Sequence, residues 1–217
     1  MAAGLQEAED RKARSIARLQ ADGVPTIAHL PRIEAVDEAK PRAAEEVARR
    51  AVALAVVAVF GETNDRALIA KVIEQLSPGN DFTPKERAFL ANFNPTDQER
   101  ASFSWRYEAL NVLLWAIGFI PHLDRPDHIV DVPESVGIIR DEGRDGLIAA
   151  ARLRPLSQLL DEADLIYRMH WAVTDARING RPAPAGVDGG VVFERHHALN
   201  WLIGYMDQDW DDVTTDT

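Results

Sequence analysis

The chain has 217 residues, 46% hydrophobic and 27% charged, with a formal net charge of −11; it is long enough to bury a real core and too apolar for general disorder. It contains no cysteine, which excludes disulfides, thiolate nucleophiles, Cys-ligated zinc and iron–sulfur clusters. The acidic balance argues against nonspecific nucleic-acid binding, whose affinity comes from neutralising phosphates, and suits a basic partner instead.

Residues 1–7 are polar and lack the apolar stretch of a signal peptide. The longest apolar runs, 51–60 and 112–121, are too short to cross a bilayer, so a cytoplasmic protein with no membrane contact is expected. Residues 5–22 read as an amphipathic helix with i,i+4 pairs Glu7–Arg11 and Asp10–Arg14. Its stripe of Arg11, Arg14 and Arg18 reads as a solvated, ion-paired face rather than a phosphate site. Residues 23–41, with Gly23, Pro25, Pro31 and Pro41, read as an extended connector. A helix is expected over about 42–60, opening with Glu45–Arg49 and Glu46–Arg50 pairs and ending apolar, and a shorter one over 64–76.

A turn follows at 78–81. Thr83-Pro84-Lys85-Glu86 combines a capping box with proline at the first helical position, and Thr96-Asp97-Gln98-Glu99 is a second capping box opening a helix to about Phe119. Residues 121–133 read as a surface loop, with short helices at 134–141 and 144–152. A strong helix spans 157–178, stopped by Asn179-Gly180. A Pro- and Gly-rich loop occupies 181–190, and a last helix covers 191–206. No segment alternates with period 2, so the predicted fold class is all-α, a single-domain multi-helix bundle with little or no β structure. All five tryptophans and all three tyrosines lie beyond residue 100. The expected organisation is therefore one domain, 1–217, in which Ala/Arg/Glu-rich outer helices of 1–95 cover the aromatic-rich core helices and acidic tail of 96–217.

One pattern occurs twice. Arg106-Tyr107-Glu108-Ala109-Leu110-Asn111-Val112-Leu113 and Arg195-His196-His197-Ala198-Leu199-Asn200-Trp201-Leu202 both read Arg-x-x-Ala-Leu-Asn-x-Leu. Each copy carries polar groups into an apolar helical run, and buried charges need partners. Arg106 and Glu108 point about 200° apart on a helix, so each needs a partner elsewhere. Asp164, Arg168 and Asp175 line one stripe of the 157–178 helix. The simplest network joins Glu108 to Arg168 or Arg195, and Arg106 to Asp175 or Glu194. Candidate binding residues are accordingly Arg106, Glu108, Asn111, Arg168, His170, Asp175, Arg195, His196, His197 and Asn200, with a network that only fixes helix packing as the plainer account. No complete catalytic constellation is present.

Adjacent His196 and His197 diverge by about 100° on a helix and do not share an ion easily. No His pair has the i,i+3 or i,i+4 spacing of a helical metal site, so no metal and no cofactor are assigned. The ending Trp210-Asp211-Asp212-Val213-Thr214-Thr215-Asp216-Thr217 reads as a docked tail held by Trp210 rather than a calcium loop, which would need a glycine turn and a bidentate Glu.

The run from Trp105 to Gly118, the run from Glu194 to Leu202 with the Trp210–Thr217 ending, and the early Arg11-Lys12, Ser15, Leu19, Gly23-Val24-Pro25 and Leu30-Pro31 together resemble a bacterial family catalogued only as a domain of unknown function. The resemblance spans nearly the whole chain. It implies a single-domain, mainly helical, cytosolic protein and supplies no reaction, cofactor or catalytic residue. The expected function is a non-enzymatic binding protein, one version engaging a basic partner through the acidic C-terminal surface of Asp207, Asp209, Asp211 and Asp212. The alternative is an enzyme or small-ligand sensor with a polar pocket between the helices at 97–119, 157–178 and 191–206.

Overall fold

The structure is a computed structural model that describes residues 2–217; Met1, the first of the polar opening residues, lies outside them. In chain order the helices are α1 (Ala2–Ala21), α2 (Ala44–Thr63), α3 (Arg66–Leu76), α4 (Pro84–Ala91), α5 (Asp97–Ser104), α6 (Arg106–Ala116), α7 (Val132–Ala150), α8 (Leu156–Ile178) and α9 (Gly189–Ile203), with short 3-10 turns near Pro184, Tyr205 and Trp210. The fold class is all-α, and no strand occurs among the described residues. The chain divides into two compact units. The first comprises the segment ending at Arg42, Asp124–Ile129 and Arg154–Thr217; the second comprises Ala43–Leu123 and Val130–Leu153.

In the second unit α2 is central. It is buried almost continuously from Val47 to Gly61 and packs against α5, α6 and α7. Its alanines let neighbouring backbones approach closely. At Gly61 a Cβ would lie 2.7 Å from the Arg100 carbonyl oxygen and 2.8 Å from the Ser104 nitrogen, so only glycine admits α5 there. The two expected capping boxes, Thr83 with Glu86 and Thr96 with Glu99, are both formed. The Glu86 carboxylate also meets buried Arg50 at 2.5 Å, and Arg50 reaches the Asp81 carbonyl at 3.1 Å.

The helix expected over 97–119 is two helices. Ser104 Oγ donates back to the Ala101 carbonyl at 2.9 Å, a local bond that competes with the helical ladder and bends it. Trp105 joins α5 to α6 there, and Glu108 N bonds the Trp105 carbonyl three residues back. α7 is interrupted at Gly143 (φ 64°, ψ 177°), between the two short helices expected at 134–141 and 144–152.

In the first unit α8 packs on both α1 and α9. Arg11 is the buried member of the expected basic stripe, 1% exposed. It holds Glu7 at 2.5 Å and the Glu34 carbonyl at 2.8 Å. Arg14 turns to Asp161 and not to Asp10, which accepts from Gln6. The face is thus ion-paired, but its first cation is interior.

The last helix ends at Ile203, short of 206, because Gly204 caps it with φ 74°. There the chain lies against residues 40–42: Lys40 N bonds the Ile203 carbonyl at 3.2 Å and Arg42 N the Leu202 carbonyl at 2.9 Å. A Cβ on residue 204 would fall 2.2 Å from the Lys40 carbonyl oxygen. Gly204→Ala therefore combines left-handed strain with a backbone clash and lowers stability by about 2–3 kcal/mol. Urea unfolding checks this, and an unchanged midpoint would contradict the account.

Candidate functional site

The polar candidates separate into distinct environments. Arg168 and Asp164, both nearly inaccessible, form a two-pronged pair at 2.9 and 2.7 Å, and Arg168 also donates to the Pro31 carbonyl at 3.0 Å. Asp175 is held by Arg181 and Asn179. Arg168 and Asp175 are therefore engaged locally.

Glu108 accepts from Val130 N at 2.7 Å, and Arg195 donates to the Asp124 carbonyl at 2.5 Å. Arg106 is half-buried at the start of α6. Asn111 accepts from Ser135 Oγ at 3.4 Å, while Asn200 donates to the Thr214 carbonyl at 2.9 Å. The repeated Ala-Leu-Asn-x-Leu thus plays one role twice, once in each unit: a helix buried on every face whose Asn ties down a neighbouring segment.

His196 and His197 diverge as helical geometry requires. His197 packs edge-on against Trp210, with ring centroids 4.7 Å apart, and Trp201 meets Trp210 at 5.2 Å. Trp210 is 4% exposed, so the tail is docked by it. The tail's backbone is held by Asn200 and by Gln208, which accepts from Thr214 N at 3.0 Å.

His196 faces the other way, into the seam between α8 and α9, where its Nδ1 lies 2.8 Å from Nδ1 of His170. Tyr167, His170, Thr174 and Arg177 recur at helical spacing on α8, as Gly189, Phe193, His196 and Asn200 do on α9. The two stripes run antiparallel, with the histidines meeting in the middle.

A cleft opens on either side of that contact. The first, about 610 Å3, is lined by Leu30, Pro31, Arg32, Ile33, Glu34 and Glu38 of the connector, with Tyr167, His196, Asn200, Tyr205, Asp216 and Thr217. The second, about 460 Å3, is lined by His170, Val173, Thr174, Arg177, Gly189, Phe193, Thr215 and Thr217. Both clefts are formed by α8 and α9 together with the tail, and the first by the connector as well. Of the ten candidate residues, His170, His196 and Asn200 line the clefts.

Burial, and secondarily Arg177, holds the His170 imidazole down to about 4. Burial, with the neighbouring His170 and His197, holds His196 down to about 3. Both rings are neutral at pH 7, so one Nδ1–H donates to the other Nδ1. Burial, Asp216 and Glu34 raise the Tyr205 phenol, and burial outweighs Arg168 in raising Tyr167; both stay protonated.

In the first cleft Arg32 is consumed by Glu38, to which it donates at 2.7 and 3.2 Å. The Glu34 carboxylate, Asn200 Oδ1 and His196 Nε2 have no hydrogen-bond partner among the described residues. Tyr167, Tyr205, Glu34, Thr174 and Arg177 were not among the sequence candidates. The α8 members were detectable as a polar stripe at i, i+3, i+7 and i+10. Glu34 and Arg32 sit in a connector without periodicity and carried no such signal.

Among the described residues no three His, Asp or Glu side chains gather as a metal-binding group, and no helix is long and apolar enough to cross a membrane. No curated protein and no solved structure matches the chain. Residues 11–213 match the family described as Domain of unknown function (DUF4272), and the chain belongs to that family.

Proposed function

We propose that the first cleft binds an organic cation, an ammonium or guanidinium group on a short apolar stem. The observation that carries this reading is the pair of unsatisfied acceptors at its wall, the Glu34 carboxylate and Asn200 Oδ1, joined by His196 Nε2 in one of that ring's two neutral forms, with Arg32 already neutralised by Glu38. Asp216 adds a further negative charge at the same cleft. The Tyr167 ring already carries the Arg168 guanidinium at 5.7 Å; Tyr205 offers a ring face worth about 0.5–2 kcal/mol to a cation, and Leu30, Pro31 and Ile33 suit an apolar stem. Charge-assisted hydrogen bonds contribute about 1.5–3 kcal/mol each. The same chemistry accommodates a free amine or a Lys or Arg side chain of a basic protein, and the absence of Lys and Arg after Arg195 favours approach of either.

Calorimetric and NMR titration with benzylammonium, methylguanidinium and neutral benzyl alcohol tests the reading. Both cations are expected to saturate and to shift the Tyr167 and Tyr205 signals, with Glu34→Gln weakening them about tenfold. Equal binding of benzyl alcohol, or saturation by neither cation, overturns it. Capped arginine amide against Ala-Arg-Ala then separates the sources: tighter peptide binding indicates a side chain presented by a protein, and equal binding a free small molecule.

A further inference from the structure

The second cleft has the opposite electrical character. Arg177, exposed at its edge, makes no ion pair, and the hydroxyls of Thr174 and Thr215 are uncommitted donors. His170 is 9% exposed and lines the cleft; its Nδ1 is engaged by His196 while its Nε2 has no partner. A guanidinium, two hydroxyls and an unpartnered imidazole nitrogen beside the ring of Phe193 are complementary to a carboxylate.

The contact between the histidines links the two clefts. A neutral pair sharing one Nδ1–H···Nδ1 bond has two arrangements. If His196 holds the shared proton, His170 carries Nε2–H, which donates into the second cleft, and His196 Nε2 is a bare lone pair in the first. If His170 holds it, donor and acceptor are exchanged. One cleft always presents a donor and the other an acceptor, and the low pKa values keep both rings neutral at pH 7.

We infer that the second cleft is a carboxylate site, and that the His170–His196 pair makes its occupation favour a cation in the first cleft. The carboxylate selects the arrangement with His170 Nε2–H. That arrangement bares His196 Nε2, the acceptor an ammonium needs. Interconversion moves the shared proton from His170 Nδ1 to His196 Nδ1, while His196 Nε2 releases a proton to water and His170 Nε2 takes one up. The coupling is reciprocal: each ligand strengthens the other by the same factor. The carboxylate site stands by itself; the coupling rests on the cation reading of the first cleft.

The test uses the full chain, 15N-labelled at histidine, with acetate and benzylammonium as probes at constant ionic strength near pH 7. Long-range 1H–15N spectra distinguish Nδ1–H from Nε2–H rings. Acetate is expected to saturate, to place His170 in the Nε2–H form and His196 in the Nδ1–H form, and to tighten benzylammonium about fivefold or more. Arg177→Gln should weaken acetate about tenfold and remove the gain in benzylammonium affinity. Arg177 is exposed, so this variant does not disturb the core. Acetate that fails to saturate, or binds Arg177→Gln equally well, overturns the carboxylate site. Acetate that binds while His170 stays Nδ1–H, or while benzylammonium affinity is unchanged, overturns the coupling. Acetate that sets the expected tautomers while benzylammonium never binds upholds the second site and condemns the first-cleft reading alone.

Discussion

Asp164→Ala is expected to lower stability by about 3–5 kcal/mol, the cost of leaving a buried charge without its partner. Arg168 is 2% exposed and Asp164 is inaccessible, so neither gains water when the other is removed. After the substitution the guanidinium keeps the Pro31 carbonyl at 3.0 Å and the Tyr167 ring, 5.7 Å away. Its Nη1 is already without a partner in the intact protein, so the remaining group is poorly satisfied. A typical domain has about 5–15 kcal/mol in total, and the loss would be a large fraction of it. The double variant Asp164→Leu/Arg168→Met removes both charges and should recover most of the stability, because a well-packed apolar pair avoids the desolvation cost altogether. Urea unfolding of the two variants checks both halves. A loss under about 1 kcal/mol for Asp164→Ala would mean that the pair behaves as a solvated one.

Acid should weaken the first unit through its paired histidines. His170 and His196 have folded values of about 4 and about 3, below the ordinary histidine value of 6.5. Above that ordinary value both rings are neutral in either state, and nothing is lost. As pH falls below it, the unfolded chain takes up protons that the folded seam refuses, so stability declines until each folded value is passed. Each ring contributes about 1.4 kcal/mol per pH unit, which makes the loss from the pair on the order of 4 kcal/mol between about pH 6 and about pH 4. Amide hydrogen exchange in α8 and α9 reports this unit directly. The variant His170→Leu/His196→Leu should show a much flatter decline across that interval. An equal decline would assign the acid sensitivity to other groups.

Much of the helical framework was legible from short-range chemistry. Thr83 with Glu86 and Thr96 with Glu99 announce helix starts because the chain supplies its own donors and acceptors within four residues. Gly143 separates the two pieces of α7 where the two expected short helices meet. The misread ends turn on one weak local bond and two close approaches distant in sequence. α5 and α6 part where Ser104 bonds back and Gly61 admits the α5 backbone; α9 stops where Gly204 meets Lys40. The same division applies to the site. His170, His196 and Asn200 stood out as polar groups in apolar helices. That His170 and His196 face each other, and that Glu34 comes to the same cleft, depends on how α8, α9 and the 30–38 connector pack. The Asp164–Arg168 pair was legible as well, because the two lie one turn apart on a single helix.

The first unit is assembled from three stretches, with the nearly continuous second unit spliced into its chain. Arg14 meets Asp161 across a sequence separation of 147 residues, so α1 cannot dock until most of the polypeptide has been made. Closing so long a loop carries an entropic cost that local contacts do not share, and high contact order slows assembly. On a ribosome, α2 through α7 have their partners to hand first, while α1 waits with Arg11 and Leu19 uncovered. The histidine seam and its clefts are therefore among the last parts of the molecule to come into being.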